Sequence, residues 1–303
     1  MGSGMGRPIG TMISDMTVKG GKSPLFGSPK DFGLAFKDVE FSALDGVRLR
    51  GWLVPGSSDK VVIQSHFGLQ CCRSGFTPEG KGRSPMWPKD IHFLNQAKYL
   101  NQQGYTVLMY DFRNHGESDA GKKEWATWGI EESKDVVAAV EYISSHADYQ
   151  NSKIGLLSIC MGGNATLFAL GNQALQKYSN IKALVVIQPL LYTILMKKAG
   201  FPSWLADLAV PVTEERTGIN FNETFVPEKV LPLVEKVPWP TLVVQNRNDP
   251  LTDLSYVESY YERLQVEKKM YWQSLEKNRF ASYQAMGEQE HMEQIYPWFS
   301  QHM

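Results

Sequence analysis

The chain has 303 residues, 43% of them hydrophobic and 21% charged, with 31 Lys and Arg against 32 Asp and Glu for a net charge of −1. That is ample apolar sequence for one large buried core, and the charge balance gives no electrostatic case for nucleic acid or an anionic membrane as partner. The three cysteines, Cys71, Cys72 and Cys160, make no disulfide framework, suit a reducing compartment and lack metal-ligand spacing, so no metal or other cofactor is implied.

Residues 1–31 show no clear period and are expected to form an irregular lead-in. Its start, MGSGMGRPIGTMISDM, reads partly as a cloning remnant and lacks the apolar core of a signal peptide. No run reaches the roughly 18–20 apolar residues of a membrane span, and the expected location is cytoplasmic. FKDVEFSALDGVRLRGWLVPG alternates apolar and polar residues around Asp45-Gly46 and predicts a hairpin, with positive φ angles at the turn. KVVIQSH is a short β-branched run and predicts a buried strand ending at His66. The stretch from Phe67 to Lys89 is rich in Gly, Pro and Ser and predicts a long irregular loop, a kind that usually carries function.

From Asp90 onward helices and strands alternate. FLNQAKYLNQQG is helical, YTVLMYDFR a strand, EESKDVVAAVEYISSH a helix, KIGLLSI a strand, GGNATLFALGNQAL a helix and IKALVVIQPL a strand. PTLVVQNRNDP and KKMYWQSLE are two further strands around a helix at LSYVESYYERLQ, and GEQEHMEQIYPWFSQHM closes the chain as a helix. This order predicts an α/β fold: a mostly parallel eight-stranded sheet with helices on both faces over residues 32–303. Residues 190–236 hold helical stretches broken by prolines and no strand. They are expected to form a small cap over the carboxyl edge of the sheet, with an apolar lining; extra helical packing without substrate contact is the alternative.

KIGLLSICMGGNATLFAL, Lys153 to Leu170, reads as strand, sharp turn and helix with Cys160 at the apex. Ser158 and Gly162, two before and two after, are small enough for the backbone to double back. The apex side chain then stands at a helix N-terminus, where free N–H groups favour an anion and a thiol becomes a reactive thiolate. The other reading of Cys160 is an inert buried residue at a strand–helix junction.

The run of strands, the elbow SICMGG, the strand-end motif YDFRNHGESD and the acid-bearing VVQNRNDPLTD resemble the α/β-hydrolase superfamily over nearly all of Phe36 to Met303. Cysteine at the elbow is the minority choice there, with dienelactone hydrolases the familiar case. SICMGGNAT and MYWQSLEKNRFASY are most similar to uncharacterised bacterial α/β-hydrolase-like proteins. The resemblance implies Cys160 as nucleophile and Asp249 as the acid, with Asp253 better explained as a helix N-cap. It also implies an oxyanion hole from the N–H groups of Met161 and Phe67, with Gly68 leaving the backbone room. His115, in the strand-end motif, is implied to be structural.

The sequence departs from that family at the usual histidine. After the last strand, in SLEKNRFASYQAMGEQEH, Arg279 and Phe280 stand where an imidazole belongs. His66 and His291 are the candidate bases, and Arg279 is a candidate to hold a thiolate or a substrate carboxylate. His92, His146 and His302 fall on helix faces or ends as solvated or packing residues. Cys71 and Cys72 are either small buried residues or redox partners of Cys160. The implied function is acyl transfer or hydrolysis of an ester, thioester or lactone with an apolar portion, through Cys160. A cyclase, acyltransferase or lyase on the same scaffold is one alternative, and a catalytically inactive binding protein is another. Substrate identity and oligomeric state are not legible in the sequence.

Overall fold

The computed structural model describes residues 6–20, 22–80, 87–200 and 202–303. The first residues of the expected lead-in and residues 81–86 of the expected long loop lie outside them. The chain opens with helix α1 (Gly6–Val18), which corrects the reading of residues 1–31 as wholly irregular. Next come β1 (Lys37–Ser42), β2 (Arg48–Val54) and β3 (Lys60–Ser65). The hairpin between β1 and β2 forms as predicted, but only Gly46 takes positive φ, at 86°.

The loop after β3 is not wholly irregular. It contains β4 (Gly75–Phe76), which pairs antiparallel with β5 (Ile91–His92). Then follow α2 (Phe93–Gln102), β6 (Thr106–Tyr110), α3 (Ser133–Ser145), β7 (Lys153–Ile159), α4 (Met161–Gly171) and β8 (Ile181–Ile187). Between β8 and the next strand lie four helices, α5 (Tyr192–Lys198), α6 (Ser203–Thr217), α7 (Phe221–Thr224) and α8 (Pro227–Val234). Pro211 and Pro232 sit inside α6 and α8 and do not break them. The chain ends with β9 (Thr241–Asn246), α9 (Leu254–Arg263), β10 (Lys268–Gln273), α10 (Arg279–Ala285), α11 (Gln289–Ile295) and α12 (Pro297–His302). Among the described residues no helix is long and apolar enough to cross a membrane.

Eight strands form one sheet in the order β1-β2-β6-β3-β7-β8-β9-β10. β2 pairs antiparallel with β1 and β6, and every later pairing is parallel. The central strands β6, β7 and β9 are buried almost throughout, as a parallel sheet covered on both faces requires. This arrangement brings the carboxyl ends of β3, β7, β8 and β9 side by side at one edge, where ligands bind in open α/β sheets. The segments that begin there are His66-Phe67, Cys160, Gln188 and Arg247–Asp249.

Helix α1 has no core of its own and packs along α6, about two hundred residues away in sequence. Thr213 Oγ1 lies 3.1 Å from Ser14 Oγ, Arg216 pairs with Asp15, and Trp128 donates its indole N–H to the Thr17 carbonyl at 2.7 Å.

Candidate active site

The turn between β7 and α4 is held in a conformation that L residues rarely adopt. Cys160 has φ 50° and ψ −105°, a strain of about 1–3 kcal/mol that persists only where the surroundings impose it. The surroundings are visible. A Cβ on Gly162 would lie 2.5 Å from the Ser65 carbonyl oxygen of β3, so only glycine allows α4 to leave the turn at this angle. Met161 is the first residue of α4, and its N–H has no acceptor within the helix. Phe67 follows β3 beside it. The intervening Gly68 is so close that a Cβ there would meet the Met161 Sδ at 2.6 Å. The expected Phe67–Met161 pair is therefore adjacent to Cys160 across the edge of the sheet.

Cys160, 8% exposed, opens into a cleft. Its apolar walls come from segments far apart in the chain: Met16 of α1, Leu69, Trp128, Leu190, Leu195 of α5 and Leu251. The polar groups at its base are Cys160, Arg279 and Tyr283.

Asp249 lies in the loop after β9 and accepts a hydrogen bond from the Leu251 N–H at 2.9 Å. Its other oxygen pairs with Arg279 Nη1 at 2.5 Å. Arg279 is 4% exposed. The same Nη1 donates to Thr252 Oγ1 at 3.1 Å, Nη2 donates to the Gln188 carbonyl, and the Gln188 amide donates back to the Arg279 carbonyl at 2.7 Å. The guanidinium fork is thus divided among protein groups, which removes the bidentate grip on a substrate carboxylate considered from sequence. Burial works against its charge, but the attraction of Tyr283, Asp249 and Cys160 outweighs that and raises its pKa. Arg279 is a fixed cation that lines the same cleft as Cys160. Asp253 caps α9 through its side chain, accepting from the Ser255 N–H at 3.2 Å.

Neither candidate base is brought to the sulfur. His66 is fully buried, with its Nδ1 2.5 Å from the Phe67 carbonyl and its Nε2 accepting from the Phe112 N–H at 3.1 Å. Because Phe112 is the donor, the proton resides on Nδ1, and both nitrogens are occupied in holding the loop after β3. His291 lies on α11, with Nδ1 2.8 Å from the Tyr271 hydroxyl and 3.3 Å from the Gln273 amide nitrogen. None of the six histidines lines the cleft. His115 donates from Nδ1 to the Arg113 carbonyl at 2.8 Å and accepts at Nε2 from the Leu69 N–H at 3.3 Å, bonds that tie two loops together. Cys71 and Cys72 are buried and outside the cleft, the Cys72 Sγ lying 3.0 Å from Ser74 Oγ.

Burial, with His115 and Arg73 adding repulsion, lowers the His66 pKa to about 3, against about 6.5 in an unfolded chain. Between these values the unfolded chain binds a proton that the folded one refuses. His66 therefore costs nothing above about pH 6.5, and its share of stability is lost as the pH falls toward 3. The loss is of order 3–5 kcal/mol. Urea denaturation at neutral and acid pH should show it as a slope that His66→Gln, which cannot titrate, flattens relative to the native chain. An unchanged slope in the variant would contradict a buried neutral His66.

Sequence reasoning missed Tyr283 and the helix that carries it. No element is expected from sequence between the last strand and the closing helix, yet Asn278 caps α10 by accepting from the Phe280 N–H at 2.8 Å. Arg279 and Tyr283 are four apart on that helix and so share a face, with the guanidinium carbon 5.6 Å from the centre of the Tyr283 ring. The asparagine cap was the available signal. Met16 and Trp128 carried none.

A family model described as alpha/beta hydrolase fold matches residues 82–223. A polyketide transferase, grgF, from Penicillium sp. is 30% identical over 156 residues, which cover 51% of this chain and 45% of that protein. The chain spans less than half the length of the curated polyketide transferases it matches. The Pyrococcus furiosus esterase Pf2001 superposes with a TM-score of 0.65 at 23% identity, covering 94% of this chain and 99% of that one. A dienelactone hydrolase from Anabaena variabilis superposes with a TM-score of 0.55 at 18% identity, covering 89% and 99%. The mostly parallel eight-stranded sheet and its strained elbow fit these matches, and the chain has the α/β-hydrolase fold.

Proposed function

We propose that the protein is an acyl-transfer enzyme. In this reading Cys160 takes an acyl group with an apolar portion from a thioester or activated ester and passes it to a nucleophile better than water. One observation carries it: a buried Arg279–Asp249 ion pair stands beside Cys160 where the chemistry of a hydrolase would need a base. Guanidinium stays protonated in proteins and cannot accept a proton. It serves instead as counter-ion to a sulfur anion.

The division of labour follows from that charge. Cysteine is the one hydroxyl- or thiol-bearing nucleophile with some anion present near neutrality without a base. Attack by the Cys160 thiolate on a carbonyl would place the developing oxyanion at the Met161 and Phe67 N–H groups. A thiolate or phenolate leaving group departs as an anion and needs no proton donor. Discharge by water requires proton removal during attack, and general-base assistance to such a step is worth about 10²–10⁴-fold. A thiolate acceptor, or a nucleophile already ionised on the acyl chain itself, avoids that requirement. Intramolecular attack by such a group would make the reaction a cyclisation. The names of the relatives, polyketide transferase as well as esterase, agree with acyl chemistry on this scaffold.

Incubation with p-nitrophenyl hexanoate should give one equivalent of p-nitrophenol and a persistent hexanoyl adduct on Cys160 by intact-mass spectrometry. Adding N-acetylcysteamine should discharge it at least tenfold faster than water alone, in keeping with the missing base. Rapid multiple turnover in water, indifferent to the thiol, would make the protein a hydrolase and refute transfer.

A further inference from the structure

The hydroxyl of Tyr283 is not explained by packing. The side chain is 1% exposed, its ring stacks on Phe67 at 4.5 Å and 14°, and Phe280 meets it edge-on at 5.7 Å. These contacts fix the ring and would serve a phenylalanine equally well. Among the described residues the hydroxyl makes no completed hydrogen bond. An unsatisfied buried hydroxyl is a standing cost. The reactive group that lines the same cleft is Cys160, together with Arg279. Burial keeps the phenol protonated, against the opposing pull of Arg279. Cys160 therefore shares its cleft with a fixed cation and an O–H donor held on one helical face.

We propose that Tyr283 is a catalytic residue: with Arg279 it receives the Cys160 sulfur as that atom is expelled from the acyl-enzyme, so that the site discharges acyl groups to thiol acceptors. This rests on the acyl-transfer reading above. In the first half-reaction the Cys160 thiolate forms a bond to the carbonyl carbon, and the bond from that carbon to the leaving group breaks. The leaving group departs with its electron pair. In the second, an acceptor thiolate adds to the same carbon, the C–Sγ bond breaks, and its electron pair returns to Sγ. No proton leaves Tyr283 in either step.

The two halves use the donors differently. In the acyl-enzyme the sulfur is neutral, so donation from Tyr283 gains strength only as negative charge builds on Sγ during expulsion, which is the condition for acceleration. In the first half-reaction the sulfur is already an anion before attack. Removing a donor there leaves fewer thiolates, each more nucleophilic, and the second effect offsets about half of the first on a logarithmic scale.

Tyr283→Phe separates the steps. The native chain and the variant are loaded with p-nitrophenyl hexanoate, and the p-nitrophenol burst gives the acylation rate. Excess ester is removed, N-acetylcysteamine is added over a concentration series, and intact mass follows loss of the adduct. Acylation should stay within about threefold of the native rate, while discharge slows about ten- to hundredfold, the loss of one hydrogen bond to a charged group. The denaturation midpoint should not fall, because among the described residues the hydroxyl makes no hydrogen bond that holds the fold. Equal discharge rates, or equal slowing of both steps, would overturn the role of Tyr283 while leaving acyl transfer standing. Absence of any adduct in the native chain would overturn both.

Discussion

Cys160→Ser should be as inactive as Cys160→Ala. In either variant adduct formation with p-nitrophenyl hexanoate should fall by about a thousandfold or more, the scale seen when a nucleophile is removed. In an elbow served by an imidazole, serine is a competent nucleophile because the ring takes its proton. Here the polar neighbours of the apex are Arg279 and Tyr283, and neither accepts a proton from a hydroxyl. A thiol tolerates this because part of it is already ionised near neutrality, whereas a serine hydroxyl is not. The exchange alters one atom on a backbone fixed by β3 and α4, so the fold should be unaffected. Burst kinetics and intact mass on all three proteins decide it. A serine variant within tenfold of the native chain would reveal a proton acceptor reaching the cleft, and hydrolysis would again be the better reading.

Arg279→Met should be costly in two separable ways. It strands the Asp249 carboxylate, whose remaining contacts are the Leu251 N–H and a 3.5 Å approach of the Gln245 amide. Breaking a buried pair from one side typically destabilises by about 3–5 kcal/mol. The double variant Arg279→Met with Asp249→Asn removes both charges and should recover most of that loss, since replacing both members of a buried pair is often close to neutral. Reactivity should not recover with it. Alkylation of Cys160 by iodoacetamide at neutral pH should remain about tenfold or more below the native rate in the double variant, as the sulfur anion has lost its counter-ion. Denaturation curves and alkylation rates on the three proteins test both parts. A double variant that regains native reactivity would show that Arg279 serves only to neutralise Asp249.

Much of the architecture was legible. Strand runs such as KVVIQS and TLVVQN, set between helical stretches with apolar residues at helical spacing, specify a covered parallel sheet because each period suits one kind of element. The elbow was legible for a similar reason: Ser158 and Gly162 are small where the backbone must double back, and the structure shows what would obstruct a larger residue. The place where a histidine is missing could also be read, at Arg279. What could not be read was the loop-to-helix switch after β10. The stretch is only seven residues of helix, and its cap, Asn278, is as common in turns as at helix starts.

The sequence by itself determined the order of elements, the identity of the apex residue and the lack of an imidazole at positions 279 and 280, because these follow from local period, residue size and residue type. The tertiary structure alone decided where Arg279 points. Its guanidinium is bound by Gln188 at the end of β8 and by Asp249 and Thr252 after β9, partners 91, 30 and 27 residues away. An arginine on a loop is stable in water, and it turns inward only when several distant groups together replace the hydration it loses. The same holds for α1, whose Met16 became part of the cleft wall once α6 was there to receive the helix. A short amphipathic helix has too little stability alone to announce itself.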